Sequence, residues 1–579
     1  MNWVVKPLPN EEIERLANAV GVSPLLARLL LVRGLGDSEE ALRFLHPKIE
    51  HLHEPDRMQD LGKAVERLQY AVRKVEKILV YGDYDVDGIT ASVVVLRALR
   101  RLGAEVDCFL PHRIRDGYGM REERIEWAAS KGYRVIVSVD TGIREWAVLE
   151  KARSLGLECI VVDHHLPGDH LPAAFAVLNP LRADCDYPEK NLAAVGLAFK
   201  LAQGLASAKE NDEAWNDDLV LAMVGTVADC APLLGENRVI THFGLQALKR
   251  TSILGLQELM RVSDLEEKPV RVSDVAFRMA PRINAAGRME GPDKPLELLL
   301  TSQPGKARSI AEELNFLNAQ RQQTEERILE EATRQVETQG TALPEALVVA
   351  GDRWHRGVIG IVAQRLVERF SRPTFVISLE GGIGHGSGRS VGRFPLVSAL
   401  DRMSDLFVRY GGHEKAAGVT LPAERLEAFR RSLAQEAARR ADTFERTHTV
   451  DVDAEIRFSD ITEDLYRETQ VLEPCGIGNP QPRFSARGLK VLGDPRILKK
   501  KHLKLSVGQD GVIFEALGWG MAERAKELGR GKAVDLTFRL EENFFRNNYS
   551  LQLIIQEIGV IGSQGAGGKG IAHQGIARR

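Results

Sequence analysis

Cysteine is scarce in this chain. Five cysteines in 579 residues, Cys108, Cys159, Cys185, Cys230 and Cys475, are scattered, odd in number and never spaced as CxxC. That excludes a disulfide scaffold, a thiolate zinc site and a thiol-exchange centre, and leaves the reduced thiols expected of a cytoplasmic protein. Long apolar runs are missing too. The amino terminus MNWVVKPLPN has no apolar h-region, and no window approaches the roughly 20 apolar residues of a membrane span. Net charge is also nearly absent: 78 Lys and Arg face 81 Asp and Glu, for −3. A uniformly basic coat is excluded. With 44% hydrophobic and 27% charged residues, the composition is that of a globular protein able to bury real cores.

The length predicts two to four domains, and the near-neutral sum hides a split. From residue 476 to the end there are 17 basic against 9 acidic residues, so this stretch carries +8 and the rest −11. A basic end suggests a polyanionic partner. Residues 1–70 read as a helical appendage, with helical spacing over 11–19 and 23–32. From Lys77 short apolar runs alternate with amphipathic stretches: 77–81 (KILVY), a helix over 89–102, then 105–110, 134–139 (RVIVSV), a helix over 144–155 and 158–162 (ECIVV). This alternation predicts a mostly parallel α/β sheet over 71–240, closed by helices over 192–206 and 217–227. A connector over 241–340 ends in a long helix, 306–338, free of Pro and Gly and polar on most of its surface. A second α/β segment spans 341–445, with strands at 346–350 and 374–378, two glycine-rich stretches and a helix over 423–439. Five short strands in the basic segment 449–561 predict a small barrel, with the OB-fold as candidate. The Gly-rich tail 562–579 is expected to be disordered.

In an open parallel sheet, functional residues gather beyond the carboxyl ends of strands. KILVYG is followed by Asp83, Asp85 and Asp87; RVIVSV by Asp140; ECIVV by Asp163, His164 and His165; and Asp229 ends an apolar helical stretch in GTVADCAPL. Each alone could be a solvated turn or a helix cap. Together they bring carboxylates and imidazoles to one edge, where mutual repulsion calls for a cation. Oxygen and imidazole ligands without thiolate suit Mn²⁺ or Mg²⁺. The cluster is large enough for two ions, with Asp140, central in sheet order, as the expected bridge. The chemistry predicted is metal-assisted phosphoester hydrolysis.

An anionic substrate needs cations and exposed amides in flexible, glycine-rich surroundings. PHRIRDGYG supplies Arg113; PRINAAGR supplies Arg282, Asn284 and Arg288; GSGRS supplies Ser387 and Arg389; and GGHEKAAG supplies His413. The carboxyl-terminal segment interleaves bases and aromatics, with Lys501 and Lys504 near one strand and Phe545 and Arg546 near another. That mixture fits a groove that follows phosphates while bases stack.

Taken in order, DYDVDG, VDTG, DHH, GTVAD, RINAAGR, WHRGVIGIVA, SGRS and GGHEKAAG resemble the motifs of the bacterial RecJ single-stranded-DNA exonucleases, within the DHH phosphoesterase superfamily. The resemblance covers about 60–558. It implies a two-lobed α/β fold: a DHH domain with a mostly parallel sheet, a long connecting helix, a DHHA1 domain and a carboxyl-terminal OB-fold barrel. It also implies 5′ to 3′ degradation of single-stranded DNA to 5′-mononucleotides, with roles in recombination and repair. A monomer is expected, working at the nucleoid with single-stranded-DNA-binding protein and helicases. By motif position Asp83, Asp85, Asp140, His164 and Asp229 would be metal ligands, with Asp87 and His165 close by. Arg113, Ser387 and Arg389 would hold the 5′ phosphate, and Arg288 and His413 would contact substrate. Val86 departs from the alanine common in relatives, at a non-ligand position. Two other readings remain: a phosphodiesterase for short oligoribonucleotides or cyclic dinucleotides, and a non-catalytic strand-binding scaffold.

Overall fold

Strands of a parallel sheet lie between helices and must be buried on both faces, and the runs 78–81, 135–139 and 159–162 are. A computed structural model describes residues 2–206, 212–338, 343–440, 449–545 and 548–561. In it β1 (Lys77–Tyr81), α1 (Val86–Arg101), β2 (Val106–Phe109), β3 (Tyr133–Val139), β4 (Glu158–Val162) and β5 (Ala176–Leu178) precede α2 (Ala194–Leu205) and α3 (Asp212–Ala228). The five strands are parallel in the order β2-β1-β3-β4-β5. Alternation along each strand divides the apolar residues between two cores. Ile78, Val80, Val135, Val137 and Ile160 pack with residues of α1 and α2, whereas Leu79, Tyr81, Ile136 and Val161 fill the opposite face. The strand order reverses at β1, so the crevice of this sheet opens between the carboxyl ends of β1 and β3.

The connector leads through α4 (Ala280–Met289) to α5 (Pro304–Glu337). This long helix begins two residues earlier than its polar pattern predicts. Pro304 occupies its first turn, where a missing N–H costs nothing. Ala307, Ile310, Leu314 and Leu317 belong to the core of the first lobe, and Ile328, Ala332 and Val336 to that of the second. One rigid helix therefore fixes the separation of the lobes.

The second lobe contains β6 (Leu347–Asp352), α6 (Ile359–Phe370), β7 (Thr374–Glu380), β8 (Ile383–Arg389), β9 (Arg409–His413) and β10 (Ala416–Pro422). Its sheet order is β9-β10-β8-β7-β6, with only β6 and β7 parallel. The glycine-rich segments that carry Ser387, Arg389 and His413 are thus strands and not flexible stretches. A Cβ on Gly386 would lie 2.3 Å from Ile377 Cδ1, and one on Gly388 2.3 Å from Phe375 Cζ. The glycines there make room for neighbouring bulky side chains.

Among the described residues, those of 46–440 and 474–479 form one compact unit, and those of 2–45, 449–473 and 480–561 form another. In the latter, strand Asn2–Val5 pairs in parallel with Thr449–Val452. β11 (Phe484–Val491), β12 (Arg496–Leu498), β13 (His502–Gln509), β14 (Val512–Gly518), β15 (Ala533–Phe545) and β16 (Asn548–Val560) follow. Pairings β11–β15, β15–β16, β16–β14, β14–β13 and β13–β11 close a five-stranded barrel around Phe458, Phe484 and Phe538. Among the described residues no single helix is long and apolar enough to cross a membrane.

Candidate active site

The acids and imidazoles at the strand ends meet. His164 Nε2 lies 3.3 Å from Asp140 Oδ1 and 3.9 Å from Asp87 Oδ2, and its Nδ1 lies 3.8 Å from Asp229 Oδ2. Three overlapping sets have ligand atoms within 4.8 Å of one another: Asp83, Asp85 and Asp140; Asp140, His164 and His165; and Asp87, His164 and Asp229. Asp140 and His164 are each shared by two sets. Asp140 takes a left-handed backbone, φ 62°, which non-glycine residues seldom adopt. Its N–H still donates to Val162 O at 3.0 Å, so the β3–β4 ladder runs into the site.

Burial of these carboxylates is not matched by hydrogen bonds. Asp83 Oδ1 and Asp140 Oδ1 are buried without a hydrogen bond, an arrangement that costs free energy unless a cation or donor is supplied. Burial, then the Asp85 charge, pushes Asp83 up to about 8. Burial and Asp229 raise Asp87 to about 7, and burial and Asp85 raise Asp229 to about 7. Asp140 is held well above the ordinary carboxylate value by burial and by Asp87, Asp85 and Asp83. Burial also lowers His164, which favours the neutral imidazole that a metal takes. Orphaned buried oxygens, repelling carboxylates and a neutral histidine fit a hard divalent cation.

Two of the acids also carry structural bonds. Asp85 caps α1, accepting Gly88 N–H at 3.1 Å. That cap starts α1 at Val86, ahead of the periodic pattern at residue 89. The Asp87 oxygens accept Ala194 N–H and Val195 N–H, both at 2.8 Å, at the start of α2. Gly88 serves close packing inside α1, since a Cβ there would lie 2.8 Å from Asp83 N and Cα. Asp163 Oδ1 accepts His165 Nδ1–H at 2.7 Å, and its Oδ2 accepts Ile143 N–H at 3.0 Å. Burial would raise Asp163, but the bond and charge of His165 bring it below the ordinary value. Asp163 belongs to none of the three ligand sets, whereas its partner His165 belongs to one.

Cations gather beside the acids. The Arg113 guanidinium lies 4.0 Å from the centroid of the Tyr84 ring, and its Nε is buried without a partner. Arg288, lowered to about 10 by burial and then by the charges of Arg113, Arg321 and Arg389, donates to Gly357 O at 3.3 Å. Arg389 is lowered by burial and by Arg113, and its Nη1 donates to Ser387 Oγ at 3.3 Å. Ser387 and Arg389, two apart on β8, share a face. A Cβ on Gly360, in the first turn of α6, would meet both. Mutually repelling guanidiniums beside a hydroxyl and a helix amino terminus have the chemistry that suits an anion.

Not every expected residue joins it. Arg282 donates to Asn315 Oδ1 at 3.0 Å and to Val262 O at 3.0 Å, holding α4 to its neighbours. Arg278 and Asp264 are its charged surroundings, apart from the arginine cluster. Asn284 is half-buried and lies four residues before Arg288, on the same helical face. His413 is exposed and lines a cavity of about 280 Å³ with Tyr118, Thr141, Asp163 and His165. Tyr118, which the sequence did not single out, donates to Asp140 O at 3.3 Å, with His165 Nε2 at 3.5 Å. Arg321 was equally hidden, as one charge among many on α5. In the barrel, Lys501 is exposed and Lys504 pairs with Glu515 at 2.9 Å. The Phe545 side chain, Arg546 and the tail 562–579 lie outside the described residues.

Three family descriptions match the chain: DHH family, N-terminal domain, over 77–226; DHHA1 domain over 344–439; and RecJ OB domain over 452–557. The single-stranded-DNA-specific exonuclease RecJ of Bacillus subtilis (strain 168) is 36% identical over 97% of this chain and 71% of its own length. The crystal structure of RecJ from Thermus thermophilus in complex with Mn²⁺ has a TM-score of 0.83 and 31% identity, covering 99% of this chain and 81% of that one. The Mg²⁺ complex of RecJ from the same organism has a TM-score of 0.76 and 29% identity, over 96% and 78%. Both the lobes around the acid cluster and the carboxyl-terminal barrel are accounted for, and the chain belongs to the RecJ family of single-stranded-DNA-specific exonucleases.

Proposed function

We propose that this chain degrades single-stranded DNA from the 5′ end, releasing 5′-mononucleotides in recombination and repair. The observation that carries this is the placement of the arginine cluster beside the acid cluster, with Tyr84 of the DYDVDG loop under Arg113. A terminal phosphate carries more charge than an internal diester. A pocket of Arg113, Ser387 and Arg389 therefore favours an end, and Arg288, which touches both lobes, would steady the strand. The 5′ sense of that end comes from the family.

Asp83, Asp85, Asp140, His164 and Asp229 would hold two divalent ions, Mn²⁺ or Mg²⁺, with Asp87 and His165 beside them. Such ions acidify water and neutralise charge developing on phosphorus. The chain's own groups do the positioning. Asp163 fixes the Nδ1–H of His165 and leaves Nε2 toward the cavity that His413 lines from the other lobe. Either imidazole can orient a phosphate oxygen or pass a proton to the leaving oxygen. The barrel would bind single-stranded DNA. A cytoplasmic monomer, working at the nucleoid with single-stranded-DNA-binding protein and helicases, fits the same reading.

A time course on one strand labelled at either end, with and without a 5′ phosphate and beside the duplex, tests it. A 5′ label should appear at once as mononucleotide, while the 3′ label shortens gradually. The reverse pattern, or equal attack on duplex, would overturn polarity or strand preference.

A further inference from the structure

Trp519 follows β14 and is 56% exposed, although indoles in folded chains are mostly buried. It is not loose. Its ring packs edge-on against His502, with centroids 4.7 Å apart and planes at 78°. His502 in turn accepts Gly520 N–H through Nδ1 at 3.1 Å, so the turn braces the pair. Beside it lies a groove of about 380 Å³ lined by Lys504, Glu515, Trp519, Glu541, Asn543 and Gln552, among others.

Charge divides this groove into a floor and a rim. Lys504 is committed to Glu515, which also accepts the Ser506 hydroxyl at 2.6 Å. The Glu541 carboxylate and the carboxamides of Asn543 and Gln552 complete the polar lining. Such a floor repels phosphate and offers acceptors and donors to a neutral, planar, hydrogen-bonding edge. Leu498 lines the same groove, and the turn that follows it supplies a rim of opposite sign. The three-residue turn between β12 and β13 exposes Lys499, Lys500 and Lys501, and the first two adopt φ of 47° and 57°. L side chains avoid that backbone. The closed β12–β13 pairing holds the lysines there at the barrel's edge.

We propose that the Trp519 groove is a nucleobase site. A base of a passing single strand stacks on the indole, its edge meets Glu541, Asn543 and Gln552, and its flanking phosphates run over Lys499, Lys500 and Lys501. The proposal rests on the reading of the barrel as a strand-binding module and adds the group that makes the contact base-dependent. Stacking on an aromatic ring tolerates any sequence, as an exonuclease substrate requires.

Binding is measured on the full chain in EDTA, by anisotropy of a labelled oligonucleotide and of an abasic strand of equal length. Trp519→Ala should weaken binding of the intact strand roughly 5- to 150-fold and leave the abasic strand unchanged. Trp519→Phe, which keeps a ring, should bind close to wild type and guards against a folding defect. If Trp519→Ala and Trp519→Phe both bind as wild type while Lys499→Glu/Lys500→Glu/Lys501→Glu loses affinity, the barrel binds DNA but the nucleobase site is wrong. If none of these variants changes affinity, the strand-binding reading of the barrel falls with it.

Discussion

A single carboxylate oxygen of Asp163 accepts both the Nδ1–H of His165, at 2.7 Å, and its backbone N–H, at 3.1 Å. The pair fixes ring orientation and proton position beside Asp140, and it raises His165 above its ordinary value although burial opposes this. Groups that orient a site histidine in this way typically affect activity about 10- to 100-fold. Asp163→Asn should therefore lower kcat by about that factor and move the limb of the pH–rate profile that reports His165 to lower pH. Binding of DNA in EDTA should be unchanged. An unaltered pH profile would show that Asp163 only supports the fold.

The elevated acids make metal binding depend on pH. Asp83 at about 8, and Asp87 and Asp229 at about 7, stand above an ordinary value of 3.8. Between that value and about 8 the folded, metal-free protein holds protons that the unfolded chain has released. Its stability should therefore fall as pH rises through this window. A divalent ion must displace the same protons, so its affinity should rise over the window. The increase in unfolding temperature on adding Mn²⁺ should be larger at about pH 9 than at about pH 6, and titration calorimetry should detect proton release. A pH-independent increment would contradict the proposed ligands.

The proposed anion pocket predicts end discrimination. Arg389→Ala removes one guanidinium from a cluster that also contains Arg113 and Arg288. A charged hydrogen bond contributes about 1.5 to 3 kcal/mol, so KM for 5′-phosphorylated strands should rise about 10- to 150-fold. A 5′-hydroxyl strand should change little. Equal losses on both substrates would place Arg389 away from the terminal phosphate.

Much of this site was legible because strand-end acids follow from a simple topological rule. Asp83, Asp85, Asp140 and His164 could be placed once the β runs were seen, and the observed sheet order puts Asp140 between the others. The residues that failed did so for geometric reasons. Arg282 shares a motif with Arg288 but not its helical face, and its bonds go to Asn315 and Val262. Glycine-rich β8 reads as flexible because its glycines answer to Ile377 and Phe375, distant in sequence. Tyr118 and Trp519 have no periodic signal, since each gains its role from a turn that brings it to a histidine.

The most direct measurement is the cleavage of a 5′-phosphorylated single strand by Asp140→Ala in Mn²⁺, beside wild type and beside its own DNA affinity in EDTA. Asp140 belongs to two of the three ligand sets and has a buried oxygen that accepts no hydrogen bond. Cleavage should fall by several orders of magnitude, with DNA affinity in EDTA close to wild type. Turnover within a few-fold of wild type would contradict the placement of the active site.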